Sequence, residues 1–343
     1  MVSIKDVAKH AGVAISTVSK VLNNYPNISE ATRKKVNAAV EELNFVPNSV
    51  AAALSSKNAG RVALIIELNV TTQAIDEIAM RYISGALTKA MELNLDVITL
   101  FGFMFEDKTV DELIRYLKSQ SITGIIICGV GEDDQVLQEL IASEEFKCVV
   151  IDEKHISEST SCVTINHKKA QYEVAKTLIE ENQAKRVLYI GGYENSYVTR
   201  TRMGGMEKLA WEKKLEVIWE NGDFLENKAM EIASEYGADA DVIVCASDLM
   251  AMGAKAAMKK MQIERPICGF DGISLLEYAG HGIYTVRQSF SQISAIAMEE
   301  LQRLMLGDEG KMIEVEYSIV SSLDMLIKNP ILIICYFAAL IYL

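Results

Sequence analysis

The residues best placed to do chemistry stand near the start of the chain. Ile15, Ser16, Thr17 and Lys20 lie on one side of a segment whose other side carries Val18, Val21 and Leu22, the spacing of an amphipathic helix. Such a helix presents an apolar contact, two hydroxyls and an ammonium group around its N-terminus. Hydroxyls and a helix N-terminus suit phosphate, and a lysine suits phosphate or the edge of a guanine. Reaction chemistry is harder to find. The chain has no G-x-G-x-x-G after a strand, no G-x-x-x-x-G-K-[ST], no G-x-S-x-G and no H-E-x-x-H, the patterns that cradle phosphates, expose a nucleophile or hold zinc. Its four histidines form no metal-like cluster, and its six cysteines lie far apart with no C-x-x-C. Cys128, Cys148, Cys245 and Cys268 sit in or beside apolar runs and read as reduced core thiols. Neither an enzyme nor a cofactor nor a metal is expected.

Local signals say how the first segment is positioned. Ile4, Val7, Ala8 and Ala11 make one helical face; Ser3 is a fair N-cap with Asp6 three residues on, and Gly12 ends the helix. Ala8 is small where two helices would cross, and Val13 plugs the turn. A third helix starts near Ser29, buries Val36, Ala39, Val40 and Leu43, and stops at Asn44 and Pro47. Two helices across a glycine turn, the second with its N-terminal side exposed, are the geometry that enters a DNA major groove. Charge agrees with this. Residues 1–60 carry a formal +3 in a chain of −13, so a basic head attracts a polyanion that the acidic body repels.

Residues 47–60 are small and polar, and residues 49–54 have a helical pattern too short to be stable alone. From Arg61 the pattern changes. Strand-like runs at 62–66, 96–101, 124–128, 149–152, 186–190, 241–245 and 266–270 alternate with helical stretches at 79–93, 110–119, 170–181, 202–214 and 249–261. The fold class expected is a small all-α helix-turn-helix head on an α/β body of two lobes, each a doubly wound parallel sheet. The series from Val62 and from Arg186 are the two lobes. Ligands of such folds bind at the carboxyl ends of strands or between lobes. The N-terminus has no apolar signal-like region, which places the body in the cytosol. Residues 331–343, ILIICYFAALIYL, are uncharged but shorter than the ~20 residues of a spanning helix. A membrane anchor is disfavoured, and an oligomerisation tail or a terminus altered at the gene level is as good a reading.

The stretches IKDVAKHAGVAISTVSKVLN (4–23), ISEATRKKV (28–36) and EELNFVPNSVAAAL (41–54) resemble the lactose/galactose repressor (LacI/GalR) family of bacterial transcription regulators. The resemblance implies that Ile15, Ser16 and Lys20 set operator preference, while Thr17, Ser19 and Asn23 contact the DNA backbone. It implies a hinge helix over 48–54 that includes Asn48 and Ala51. Leu54 is then a minor-groove wedge that kinks the duplex between two hinges. Paired hinges require a dimer and a near-palindromic operator. Ala52 and Ala53 replace the polar or basic residues common there.

The body resembles periplasmic-type sugar-binding proteins. Asp152, Arg200 (with Arg202 a second candidate), Ser247, Asp271 and Phe290 match effector-contacting positions. Other readings stand beside these: helix or turn caps for the aspartates, a surface ion pair for Arg200, and core packing for Phe290. The segment 67–77, ELNVTTQAIDE, lacks the Pro and Phe that often line the family's cleft, so the effector need not be a common hexose. The division implied is head 1–46, hinge and linker 47–60, effector-binding and dimerisation body 61–322, and tail 323–343. The partners implied are double-stranded operator DNA, a sugar-like effector and a second copy of the chain, as a dimer or tetramer. Control by a protein or a purine-like corepressor, a binding module without operator activity, and a membrane-tethered regulator are the alternatives.

Overall fold

The computed structural model describes residues 2–22, 25, 27–43, 45, 60–66, 77–131, 133–278 and 282–322. Asn23, the hinge positions Asn48, Ala51 and Leu54, residues 67–76 and the tail 323–343 lie outside the described residues.

Three short helices come first: α1 (Ile4–Ala11), α2 (Ile15–Leu22) and α3 (Glu30–Glu42). Their apolar faces meet in a core of Val7, Ala8, Val18, Val21, Val36 and Ala39. Capping fixes the ends. The Ser3 N–H donates to Asp6 Oδ2 at 2.8 Å at the start of α1. Gly12 takes φ of +66° after it, a left-handed conformation that glycine adopts without a Cβ clash. Ser29 Oγ accepts from the Thr32 N–H at 3.3 Å at the start of α3. A 2.6 Å hydrogen bond between His10 Nε2 and Glu42 Oε2 ties α1 to α3.

The body begins with β1 (Arg61–Ile66), α4 (Glu77–Leu93), β2 (Asp96–Phe101), α5 (Val110–Ser119), β3 (Ile122–Cys128), α6 (Gln135–Ala142), β4 (Lys147–Ile151) and β5 (Thr160–Thr164). It continues with α7 (His167–Glu181), β6 (Arg186–Gly191), α8 (Tyr197–Lys213), β7 (Glu216–Asn221), α9 (Glu226–Tyr236), β8 (Val242–Cys245), α10 (Asp248–Lys260), β9 (Ile267–Cys268) and β10 (Ile283–Arg287). It ends with α11 (Phe290–Met305), β11 (Met312–Glu314) and β12 (Ser318–Ser321). One six-stranded sheet runs β11-β5-β4-β3-β1-β2, the other β12-β10-β9-β8-β6-β7. Residues 62–66 of β1 and 242–245 of β8 are almost wholly buried, as strands covered by helices on both faces must be. All strand pairings are parallel except that of β10 with β12.

The chain does not fill one lobe and then the other. After β5 it crosses to the second lobe, where α7 packs on α8 and on β8–β10. After β10 it returns, and α11 packs on α4 and on β3, β4 and β5. β11 then pairs with β5, and β12 crosses back to pair with β10. The two series expected from Val62 and Arg186 each build most of a sheet, and the last three elements are shared between the lobes.

The α7–α8 contact depends on one residue. A β-carbon at Gly205 would overlap the carbonyl oxygen of Lys168, whereas one at Gly204 would meet only the Lys168 side chain, no closer than 3.7 Å. Gly205→Ala should therefore destabilise the body by about 1–3 kcal/mol through overpacking. Gly204→Ala should stabilise it by about 0.5–1 kcal/mol through helix propensity. Urea unfolding of the two variants checks this; equal midpoints would show that the helices can part without penalty.

Candidate functional site

Ala14 precedes α2 and has no side-chain acceptor; its carbonyl accepts from the Thr17 and Val18 N–H groups at 2.9 and 3.1 Å, which leaves the N–H groups of Ile15 and Ser16 for an outside acceptor. Ile15 is 44% exposed, an unusual place for a large aliphatic residue unless something packs on it. Ser16 and Lys20 are exposed beside it, while Thr17 and Ser19 are half-buried. The expected surface is therefore present, with Ile15, Ser16 and Lys20 more accessible than Thr17.

The second site lies between the lobes, a cavity of about 1080 Å³. Asp152 follows β4 and Asp271 follows β9, so both carboxylates stand at carboxyl ends of strands. Both residues have positive φ, +58° and +116°, rarely adopted by side chains other than glycine. Asp248, the first residue of α10, holds the second turn. Its Oδ2 accepts from the N–H groups of Gly272 at 2.7 Å and Ile273 at 2.9 Å, and its Oδ1 from Thr285 Oγ1 at 2.6 Å.

A buried polar chain joins the two carboxylates. Arg202, on α8, is 4% exposed, with its guanidinium 3.7 Å from the centre of the Phe270 ring. Its Nη2 donates to Asp271 Oδ1 at 3.3 Å, its Nη1 to the Ala246 carbonyl at 2.5 Å and its Nε to His167 Nδ1 at 3.3 Å. Arginine only donates, so His167 Nδ1 is the ring acceptor and the proton sits on Nε2. That proton is donated to Asp152 Oδ1 at 2.8 Å. Thr164 Oγ1 donates to the same oxygen at 2.8 Å, and the Tyr82 hydroxyl lies 3.5 Å from Asp152 Oδ2. At the other end Gln288 Nε2 donates to Asp271 Oδ1 at 3.1 Å. The cavity mouth is bridged: Gly131 pairs with Ser196 by backbone, and Asn195 Nδ2 donates to Asp133 Oδ2 at 2.8 Å.

Both parts of the chain match known families. Residues 3–48 match the family described as bacterial regulatory proteins, lacI family. Residues 80–275 match periplasmic binding proteins and sugar binding domain of LacI family. This chain belongs to the LacI family. It is a transcription regulator with a DNA-binding head and an effector-binding body. The transcriptional repressor PurR of Photobacterium profundum is 26% identical over 313 residues, 88% of this chain and 91% of the relative. The lac repressor dimer bound to operator and the anti-inducer ONPF has a TM-score of 0.78 at 21% identity, over 93% of this chain and 97% of that one. The regulator CelR in complex with cellobiose has a TM-score of 0.68 at 21% identity, over 94% and 99%.

Asp152, Arg202, Ser247, Asp271 and Phe290 all line the cavity. Arg200 does not line it and is exposed on α8. The cleft arginine is thus Arg202, because two positions on a helix differ by roughly 200° in direction. Ser247 also caps α10, its Oγ accepting from the Met250 N–H at 3.3 Å. Phe290 is both core and lining: it is 2% exposed and sits edge-on to Tyr82, ring centres 5.3 Å apart. His167, Gln288, Asp248 and Tyr82 complete the site without having been expected there.

Burial pushes Asp271 up to about 6, against the pull of Arg202 and Gln288. Burial and the nearby Asp271 also raise Asp248. Burial would raise Asp152 as well, but the hydrogen bonds from His167 and Thr164 hold it low. Burial lowers His167, in keeping with a neutral ring. Signs follow from linkage. Folded Asp271 keeps a proton that the unfolded chain releases near 3.8, so its contribution to stability declines as pH rises from there to about 6. His167 acts oppositely, its contribution declining as pH falls below 6.5. Comparison with Asp271→Asn isolates the first effect. The wild-type unfolding free energy minus that of the variant should fall between pH 4 and pH 6 and level off above, within the bounds set by Asp271. A difference independent of pH would contradict the burial of an ionisable carboxyl there.

Proposed function

We propose that this regulator binds a near-palindromic operator as a homodimer, and that a small sugar or sugar derivative between its lobes controls that binding. The observation that carries the reading is the pairing of an exposed, phosphate-ready α2 with a cavity between lobes, at the base of which a buried chain of polar groups joins Asp152 to Asp271. Ile15, Ser16 and Lys20 choose bases, and Thr17, Ser19 and Asn23 hold the backbone. A hinge around Asn48, Ala51 and Leu54 joins the head (1–46) to the body (61–322). Self-association is supported by a stripe on α4, where Met80, Leu87 and Met91 are 57%, 40% and 79% exposed; a contiguous apolar stripe is commonly an interface. The operator-bound lac repressor dimer shares this fold. The sugar reading draws on the family description and on the cellobiose complex of CelR.

An effector controls the switch only through unequal affinity for two lobe arrangements, typically worth about 1–3 kcal/mol. Asp152 and Asp271 are positioned to sense it, because they terminate one hydrogen-bonded chain that crosses between lobes. Sites selected from random duplex DNA by the full chain should be inverted repeats; single half-sites would rule out the dimer. On the selected site, Lys20→Ala should weaken binding and reduce the salt slope by about 1 per protomer if the lysine meets a phosphate. Leu54→Ala should weaken binding and reduce DNA bending. In a gel shift with the natural effector, Asp271→Asn should lose the effector response while Arg200→Ala keeps it. The reverse result would move the effector away from the cavity.

A further inference from the structure

The cavity lining is unevenly charged, although Glu77, Asp152 and Asp271 are paired with Arg81, His167 and Arg202. Among its described lining residues seven are Asp or Glu and one, Arg202, is basic. That one cation is engaged inside the protein, where each of its three guanidinium nitrogens makes a hydrogen bond, to His167, the Ala246 carbonyl and Asp271. A ligand phosphate or carboxylate would therefore enter a field of carboxylates with no free cation among the described lining residues, and desolvation would strengthen the repulsion.

Acceptors, in contrast, are in surplus. Gln288 is 2% exposed and its Oε1 has no hydrogen-bond partner, a state that buried amides rarely keep unless a donor arrives from outside. It adjoins Asp271, since its Nε2 donates to that carboxylate. Glu106 and Glu194 face the same cavity from opposite lobes, and neither is in an ion pair among the described residues. Asp134 lines it as well, with burial raising its carboxyl.

We propose that the effector is a cationic polyol, a hexose-sized frame bearing a protonated amine, and that Asp271 and Gln288 Oε1 seat the ammonium group. The inference rests on the effector-cleft reading above and narrows it to one charge class. Glu106, Asp134 and Glu194 then act at the mouth, favouring cations and turning away phosphorylated and oxidised sugars.

A matched series tests it: gluco-, galacto- and manno-hexoses with their 2-amino, 6-phosphate and 6-carboxylate forms. Each is added to the full chain up to roughly 10 mM, where even millimolar affinity raises the Tm measurably, and hits are titrated by calorimetry. The expected result is an amino sugar binding at least about tenfold more tightly than its neutral parent, with no binding of the anionic forms; tenfold corresponds to ~1.4 kcal/mol. The double variant Glu106→Gln, Glu194→Gln should reduce that preference several-fold and flatten its salt dependence. A neutral or anionic member binding as tightly as the amine overturns the charge assignment and leaves the sugar-sensing cleft standing. Failure of every carbohydrate in the series to bind overturns both.

Discussion

Arg202 is a full positive charge in a nearly dry place. Removing one partner of a buried ion pair leaves the other uncompensated at about 3–5 kcal/mol, so everything around this guanidinium has to stay in register. Phe270 offers it a ring face, Ala246 a carbonyl, Asp271 a carboxylate and His167 a ring nitrogen. Ala246 follows β8, Phe270 and Asp271 share the turn after β9, and His167 is the first residue of α7. The strained backbone of Asp271 is tolerable because Asp248 grips the following N–H groups from below. The geometry of the cleft is thus a consequence of satisfying one arginine.

The same requirement couples the lobes. Tyr82, Thr164 and Asp152 belong to the first lobe, Arg202 and Asp271 to the second, and His167 opens the helix that follows the first crossing. A rotation of one lobe against the other must stretch the contacts on one side of His167 or the other, because a single ring cannot follow both. Three crossings of the backbone limit how the lobes can move, and α11, which begins beside Gln288 and packs on α4, carries any such movement to the exposed stripe of Met80, Leu87 and Met91.

Much of this was legible in the sequence, and the part that was not has physical reasons. The head was readable because its signals are local: a cap at Ser3, a left-handed glycine at position 12, and valines at helical spacing. Asp152 and Asp271 were named through the family resemblance, each at the end of a short apolar run, VVID and CGFD. The arginine was harder. Arg200 and Arg202 sit in one T-R-T-R repeat, and only the rotation of α8 against its lobe decides between them. His167 and Gln288 gave no signal, since a single polar residue between strand and helix is common everywhere. Strand β7, EVIWEN, is a half-exposed edge and β5, TSCVT, is polar by composition, so neither resembles a buried strand. That α11 leaves the second lobe for the first is set by contacts more than 100 residues away in sequence, which no local pattern records.

The bridge across the cavity mouth has a consequence in time. Gly131 and Ser196 pair by backbone, and Asn195 reaches Asp133, so the lobes are clasped over the space they enclose. A molecule whose exit required the lobes to part would stay at least as long as these contacts hold. Such a regulator would average over rapid swings in effector concentration.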